Sequence, residues 1–119
     1  MDDLIIGDSV GVHLLVNIYN VPNIDLLKNM GLGLNILNDI VRELSLTIVS
    51  QTGHQFEPHG YSYAYVLSES HFTIHTYPEF RSCYIDIFCC NPSFNGVYAA
   101  DYIKQAFNSS HSTYKILRR

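Results

Sequence analysis

Positive charge is scarce in this sequence. Seven Lys and Arg side chains stand against eleven Asp and Glu, a formal net charge of −4 at pH 7. No basic run occurs beyond the closing Arg118-Arg119, so the electrostatic footprint of a nucleic-acid partner is missing. Long apolar runs are missing too. None approaches the roughly 20 residues that span a bilayer, and no membrane partner is expected. The opening Met1-Asp2-Asp3-Leu4-Ile5-Ile6 is acidic and lacks the cationic stretch of a secretory signal. Cysteine is sparse and odd in number: Cys83, Cys89 and Cys90, without C-x-x-C spacing. That argues against a disulfide framework or a zinc knuckle. Together these absences predict a soluble, cytoplasmic protein in a reducing compartment.

What is present suits one folded domain. Hydrophobic residues form 47% of the 119-residue chain and charged residues 15%, a composition incompatible with disorder. With no linker, repeat or low-complexity tract, residues 1–119 read as a single domain. A chain this short buries only about two-thirds of its unfolded surface, so pairing with a second copy is a ready way to bury more.

Val10 to Tyr19 is rich in β-branched and aromatic residues and reads as a strand. Val21-Pro22-Asn23 breaks it. Apolar residues at Leu27, Met30, Leu34, Leu37, Val41 and Leu44 recur at alternating steps of three and four, one face of a helix. Gly31 and Gly33 each cost about 1 kcal/mol in a helix interior, so the helix is predicted over Leu34 to Leu44. Strands are predicted over Leu46 to Phe56, Tyr63 to Leu67 and Phe72 to Tyr77. Ser82 to Cys90 alternates: Cys83, Ile85, Ile87 and Cys89 share one face, Tyr84, Asp86 and Phe88 the other. Asn91-Pro92-Ser93 stops that strand. A second helix is predicted over Gly96 to Phe107, and an edge strand over Thr113 to Leu117. This order predicts an α+β two-layer sandwich, an antiparallel sheet with two helices packed on one face.

Reactive side chains concentrate between Glu69 and Cys90. His71 and His75 are four apart, the helical spacing of a shared metal site. But Phe72, Thr73, Ile74, Thr76 and Tyr77 favour a strand, and Pro78 would stop a helix. On a strand the two imidazoles share a face roughly 13 Å apart, too far for one ion, and no metal is assigned. A serine-hydrolase reading finds a nucleophile and histidines, but no G-x-S-x-G elbow and too small a scaffold.

The run Glu69-Ser70-His71, then Ile74-His75-Thr76, then Pro78-Glu79 resembles the signature E-S-H-x-x-I-H-T-W-P-E of bacterial-type, pyruvoyl-dependent S-adenosylmethionine decarboxylase proenzymes. Gly11 to Tyr19, His54-Gln55-Phe56-Glu57-Pro58 and Asp86-Ile87-Phe88-Cys89-Cys90 resemble further blocks of that family, so the likeness covers about residues 11–107. It implies autocatalytic cleavage between Glu69 and Ser70. The Ser70 hydroxyl attacks the Glu69 carbonyl to give an ester, β-elimination leaves dehydroalanine, and loss of ammonia yields a pyruvoyl group derived from Ser70. The zymogen becomes chains 1–69 and 70–119. The pyruvoyl carbonyl then forms a Schiff base with the substrate amine and accepts electrons as carbon dioxide leaves.

The resemblance assigns His75 to the elimination step and Cys90, twenty residues after Ser70, to protonation of the substrate carbon. Strand alternation puts Cys89 on the opposite face from Cys90, and Cys83 and Cys89 read as small buried hydrophobes. For the substrate, the resemblance implies Phe56 and Tyr77 as the rings around adenine, Glu79 as the carboxylate on the ribose hydroxyls, and Ser62 as a pocket-lining hydroxyl. Tyr77 stands where the family has Trp, with less stacking area. Phe80-Arg81-Ser82-Cys83-Tyr84 stands where the family often has Y-G-Y-A-A, and Arg81 adds a charge near the substrate end.

The expected function is therefore decarboxylation of S-adenosylmethionine for spermidine biosynthesis. The resemblance implies a homodimer of processed two-chain protomers with active sites at the subunit interface. Two rivals stay open. One is a pyruvoyl-dependent arginine or ornithine decarboxylase of the same family, which needs Ser70 and His75 but not Phe56, Tyr77 and Glu79. The other is an unprocessed, non-catalytic regulatory homologue.

Overall fold

The computed structural model describes residues 3–4 and 10–119, so of the acidic opening Met1–Ile6 only positions 3 and 4 fall within it. In chain order the elements are β1 (Asp3–Leu4), β2 (Val12–Tyr19), α1 (Asp25–Lys28), α2 (Met30–Glu43), β3 (Ile48–Gln55), β4 (Tyr61–Leu67), β5 (Ser70–Tyr77), β6 (Ser82–Cys89), α3 (Gly96–Ala106) and β7 (His111–Arg118). A 3₁₀ turn, Pro78–Phe80, joins β5 to β6. The sheet runs β1-β7-β2-β6-β5-β4-β3, antiparallel from β7 to β3. Two details depart from the expected layout. A one-turn helix, α1, precedes the two long ones. The last strand is not outermost, because β1 pairs parallel with its final residues, Asp3 with Leu117 and Leu4 with Arg118.

Alternation places one half of every central strand under α2 and α3. Leu14, Val16 and Ile18 of β2, Phe72 and Ile74 of β5, and Cys83, Ile85, Ile87 and Cys89 of β6 are buried. They pack with Leu37, Ile40 and Val41 of α2 and with Ala99, Ala100, Ile103 and Phe107 at α3. The long helix begins at Met30, earlier than the Leu34 predicted, and contains both glycines. Asn29 caps it by accepting from the Leu32 N–H at 3.0 Å. Gly33 is required by close approach: a Cβ there would lie 1.8 Å from the Tyr61 Oη and 2.8 Å from the Leu26 carbonyl. The Tyr61 hydroxyl instead donates to that carbonyl at 2.8 Å. Burial raises the Tyr61 phenol above its ordinary range.

The other half of each strand forms an open face that no helix covers. Strand register aligns its side chains in rows. One row reads His54, Ser62, His75, Tyr84, Asn17 and Thr113 from β3 to β7. The next holds Thr52, Ala64, Thr73, Asp86, Leu15 and Lys115. The row nearest the β4–β5 turn contains Val66, His71, Phe88, His13 and Leu117. Leu15, Val66, Tyr77 and Tyr84 are exposed on this face, more apolar surface than a solvated sheet face usually carries.

Candidate active site

Glu69 and Ser70 sit at the tight turn that joins β4 to β5, where Leu67 pairs with Ser70. Antiparallel pairing places Ser70 opposite Cys89, so Cys90 follows β6 right beside the turn. Cys90 donates twice to one oxygen, the Glu69 carbonyl. Its backbone N–H lies 3.1 Å away and its Sγ 3.1 Å. Two donors aimed at the oxygen of the peptide between Glu69 and Ser70 are the arrangement that stabilises a developing oxyanion. Ser70 itself has φ 149°, a backbone region in which a residue with a side chain is strained by about 1–3 kcal/mol. The Glu69 carboxylate accepts from the Thr47 N–H at 3.0 Å. That hydrogen bond holds its carboxyl below the usual glutamate range.

Cys89 and Cys90 separate as strand alternation predicts. Cys89 is fully buried in the core, while Cys90 is exposed. Burial pushes the thiols of Cys83 and Cys89 up, so neither is a ready acid or nucleophile. All three cysteines are free.

The remaining sequence-predicted residues gather at the far end of the same strands. Ser62 pairs with His75 across β4 and β5, and its Oγ lies 2.6 Å from His75 Nδ1. Tyr77 ends β5 with its ring edge-to-face on Tyr84 at 5.5 Å. Glu79 lies in the 3₁₀ turn, and Phe56 follows β3 with its ring against His54 at 4.8 Å. Phe56 and Tyr77 are both about half exposed, at 47% and 45%. His75 borders two hollows of the open face, one of about 480 Å³ with Asn17, Tyr84 and Lys115, and one of about 280 Å³ with Thr52 and His54. His75 lies five positions along an extended strand from Ser70, about 16 Å at ~3.3 Å per residue. Within one chain the structure brings Glu69, Ser70 and Cys90 together, and Ser62, His75, Tyr77, Glu79 and Phe56 to the opposite end, but does not bring the two groups into contact.

Arg81 is anchored to the segment that follows β2. Its guanidinium donates to the Val21 and Pro22 carbonyls, each at 3.2 Å. Its backbone takes φ 50°, the left-handed conformation that favours the glycine the resembling family often has there. Thr76 of the Ile74-His75-Thr76 run is structural. Its buried Oγ1 accepts from the Tyr61 N–H at 2.9 Å and donates to the Leu27 carbonyl at 2.7 Å.

Sequence reasoning missed one cluster. His13 Nε2 lies 2.5 Å and His71 Nε2 3.2 Å from the same Asp86 oxygen, and the three side chains could surround an ion. Arg119 Nη1 stands 3.1 Å from His13 Nδ1. A guanidinium only donates, so Nδ1 is the accepting nitrogen and the His13 proton sits on Nε2, facing Asp86. The ring nitrogen away from a metal ordinarily donates to an acceptor, and here it faces a cation. A hydrogen-bonded relay from Arg119 through His13 and Asp86 to His71 fits these contacts better than an ion does. No spacing signal could have found it, because His13 and Asp86 are 73 positions apart.

Comparison with known proteins follows the same lines. A sequence profile of the family described as S-adenosylmethionine decarboxylase matches residues 12–119. The chain is 39% identical over 99 residues to an S-adenosylmethionine decarboxylase proenzyme of Thermodesulfovibrio yellowstonii, covering 83% of this chain and 73% of that one. A proenzyme of the same description from Hydrogenobaculum is 32% identical over 111 residues, covering 93% and 82%. The crystal structure of the adenosylmethionine decarboxylase from Aquifex aeolicus superposes with a TM-score of 0.84 at 28% identity, covering 95% of this chain and 92% of that one. The chain belongs to the S-adenosylmethionine decarboxylase family.

Proposed function

We propose that this protein is a self-processing zymogen that cleaves itself between Glu69 and Ser70 and decarboxylates S-adenosylmethionine, the step that makes an aminopropyl donor for spermidine. The observation that carries this reading is the Glu69 carbonyl, held by two donors from Cys90 beside a strained Ser70. The Ser70 Oγ attacks the Glu69 carbonyl carbon, its proton passes to the Ser70 nitrogen, and the peptide C–N bond breaks as the ester forms. Loss of the Ser70 Cα proton expels the main-chain carboxylate of Glu69 from Cβ. Water then replaces the nitrogen, which leaves as ammonia.

The residues present fit a pyruvoyl group at position 70, because the Ser70 backbone next to the bond to be broken is strained and the oxygen of that bond is already bound. That group supplies an electrophilic carbonyl for the substrate amine and a sink for the electrons released with carbon dioxide. Cys90, at the same turn, carries the Sγ proton for the substrate carbon. Phe56 and Tyr77 offer ring faces to adenine and to the sulfonium, and Glu79 offers acceptors for ribose hydroxyls. An arginine or ornithine substrate gives these three residues no task.

The working enzyme is a homodimer. The 16 Å between Ser70 and His75 supports this, because a base so placed serves the Ser70 of a second copy rather than its own. The apolar open face supports it as well. The free thiols suit a reducing cytoplasm, and no helix among the described residues is long and apolar enough to cross a membrane.

Intact mass under denaturing conditions tests processing. Two species, residues 1–69 and 70–119, are expected, with the second lacking its free amine. A single full-length chain after prolonged incubation supports the regulatory rival instead. Release of carbon dioxide from arginine or ornithine, and none from S-adenosylmethionine, would reassign the substrate.

A further inference from the structure

The turn that carries Glu69 and Ser70 departs from its class. Ser68 and Glu69 form a two-residue connection between paired Leu67 and Ser70. Such connections ordinarily place positive φ at the central residues. Here neither Ser68 nor Glu69 has it, and it falls on Ser70 at 149°. The other non-glycine residues of positive φ among the described residues, Asn20, Ser45, Arg81 and Asn108, lie between 50° and 56°, inside the small left-handed basin. Ser70 lies outside that basin. A conformation of this kind persists only where its surroundings over-determine it.

The surroundings act on Glu69 from two flanks. On the β3 side, Thr47 uses both of its backbone groups. Its N–H donates to Glu69 Oε1 at 3.0 Å, and its carbonyl accepts from the Ser68 N–H at 2.9 Å. On the β6 side, Cys90 holds the Glu69 main-chain carbonyl. The side chain is therefore pulled toward one edge of the hairpin and the carbonyl toward the other. With the side chain removed, only the Ser68 contact ties the turn to Thr47, and the Glu69–Ser70 peptide plane is held from the Cys90 side alone.

We infer that Glu69 is a positioning residue for self-cleavage: its carboxylate, anchored on the Thr47 N–H, keeps the Ser70 backbone bent and the Glu69 carbonyl against Cys90. This rests on the self-cleavage proposed above and adds a role for a side chain that the chemistry itself does not consume. The Thr47 hydrogen bond also favours the charged carboxylate, so the anchor is in place at neutral pH.

The test is a time course of cleavage after a pulse of cell-free synthesis, read by denaturing intact mass with and without hydroxylamine, which cuts esters. Wild type is expected to cleave. Glu69→Ala is expected to slow by about 100-fold, the scale of a small misplacement of reacting groups, and to stay hydroxylamine-resistant, because the fault precedes ester formation. His75→Ala is the contrast: it accumulates a hydroxylamine-sensitive ester. Glu69→Gln keeps an acceptor for Thr47 and should recover most of the rate. The unfolding midpoint of the Glu69→Ala/Ser70→Ala double variant should stay with that of Ser70→Ala, separating position from fold. Should Glu69→Ala not fold, Glu69→Asp, whose carboxylate stops a methylene short of Thr47, is expected to give the same slow, hydroxylamine-resistant chain. Cleavage of the Ala and Asp variants at the wild-type rate, or ester accumulation in either, overturns the inference and leaves self-cleavage standing. An uncleaved wild type removes the self-cleavage reading first.

Discussion

Cys90 places two donors on one oxygen, and substitution separates them. Cys90→Ala keeps the backbone N–H but loses the Sγ donor, and removal of one such donor costs about 10²–10³ in rate. Cleavage should slow on that scale in an intact-mass time course, and a wild-type rate would show that the thiol contact does nothing for cleavage. Cys90→Ser restores a donor, so processing should recover while carbon dioxide release from S-adenosylmethionine stays low, a hydroxyl being a much weaker acid than a thiol. Gly33 is the second telling residue. Alanine there would gain roughly 1 kcal/mol of helix propensity. Its methyl would, however, strike the Tyr61 hydroxyl and the Leu26 carbonyl, and overpacking of this kind costs about 1–3 kcal/mol, occasionally more. The backbone carbonyl cannot swing away, so the clash wins. Urea titration should give Gly33→Ala a lower midpoint with an unchanged slope.

At the scale of elements, α3 is tied to α2 by hydroxyl–carboxylate bonds. Tyr102 donates to Asp39 at 2.6 Å and Tyr98 to Glu43 at 2.7 Å. The bond to Asp39 pushes the Tyr102 phenol from 10.0 up to about 12. A raised folded-state value stabilises fully below the unfolded value and is lost as pH rises through the folded one. Tyr102→Phe should therefore lower the thermal midpoint near neutral pH, and its difference from the parent should shrink between pH 10 and about 12. A constant difference across that window would mean that the hydroxyl is not what joins the helices. Element positions were largely legible in the sequence because the sheet buries one face. Ser82 to Cys90 alternates in the letters, and from Cys83 to Cys89 the burial follows the letters. The start of α2 was not legible, since Gly33 looks like a helix breaker until Tyr61, 28 positions later, is seen to need the space. The candidate site could be named from the sequence where its residues are close in the chain, as with Glu69 and Ser70, or spaced as the resembling family spaces them, as with Cys90. Thr47 and the relay from Arg119 to His71 were illegible for one physical reason: each contact is made by strand pairing between distant segments, with no periodicity to announce it.

At the scale of the whole molecule, the function proposed above makes the Ser62–His75 end and the Glu69–Ser70 end two halves of one site, held apart by the length of β5. A two-fold axis that reverses strand direction would bring the His75 end of one copy over the Ser70 end of the other and cover both open faces in the same step. That geometry has a consequence that a self-contained site lacks. Ser70→Ala retains His75 but lacks the attacking hydroxyl, and His75→Ala retains Ser70 but lacks the base. Neither variant alone should cleave: Ser70→Ala forms no ester, and His75→Ala stops at the ester. Co-synthesised in one cell, they should form mixed dimers in which the His75→Ala chain is cut by the base of its Ser70→Ala partner. The Ser70→Ala chain, marked by a mass tag, should stay whole. Denaturing mass spectrometry reads both outcomes at once, and native mass spectrometry should give twice the chain mass of 13.6 kDa for the uncleaved Ser70→Ala protein. If co-synthesis leaves the His75→Ala chain whole in a verified mixed dimer, the base acts within its own chain, and β5 must bend to deliver it.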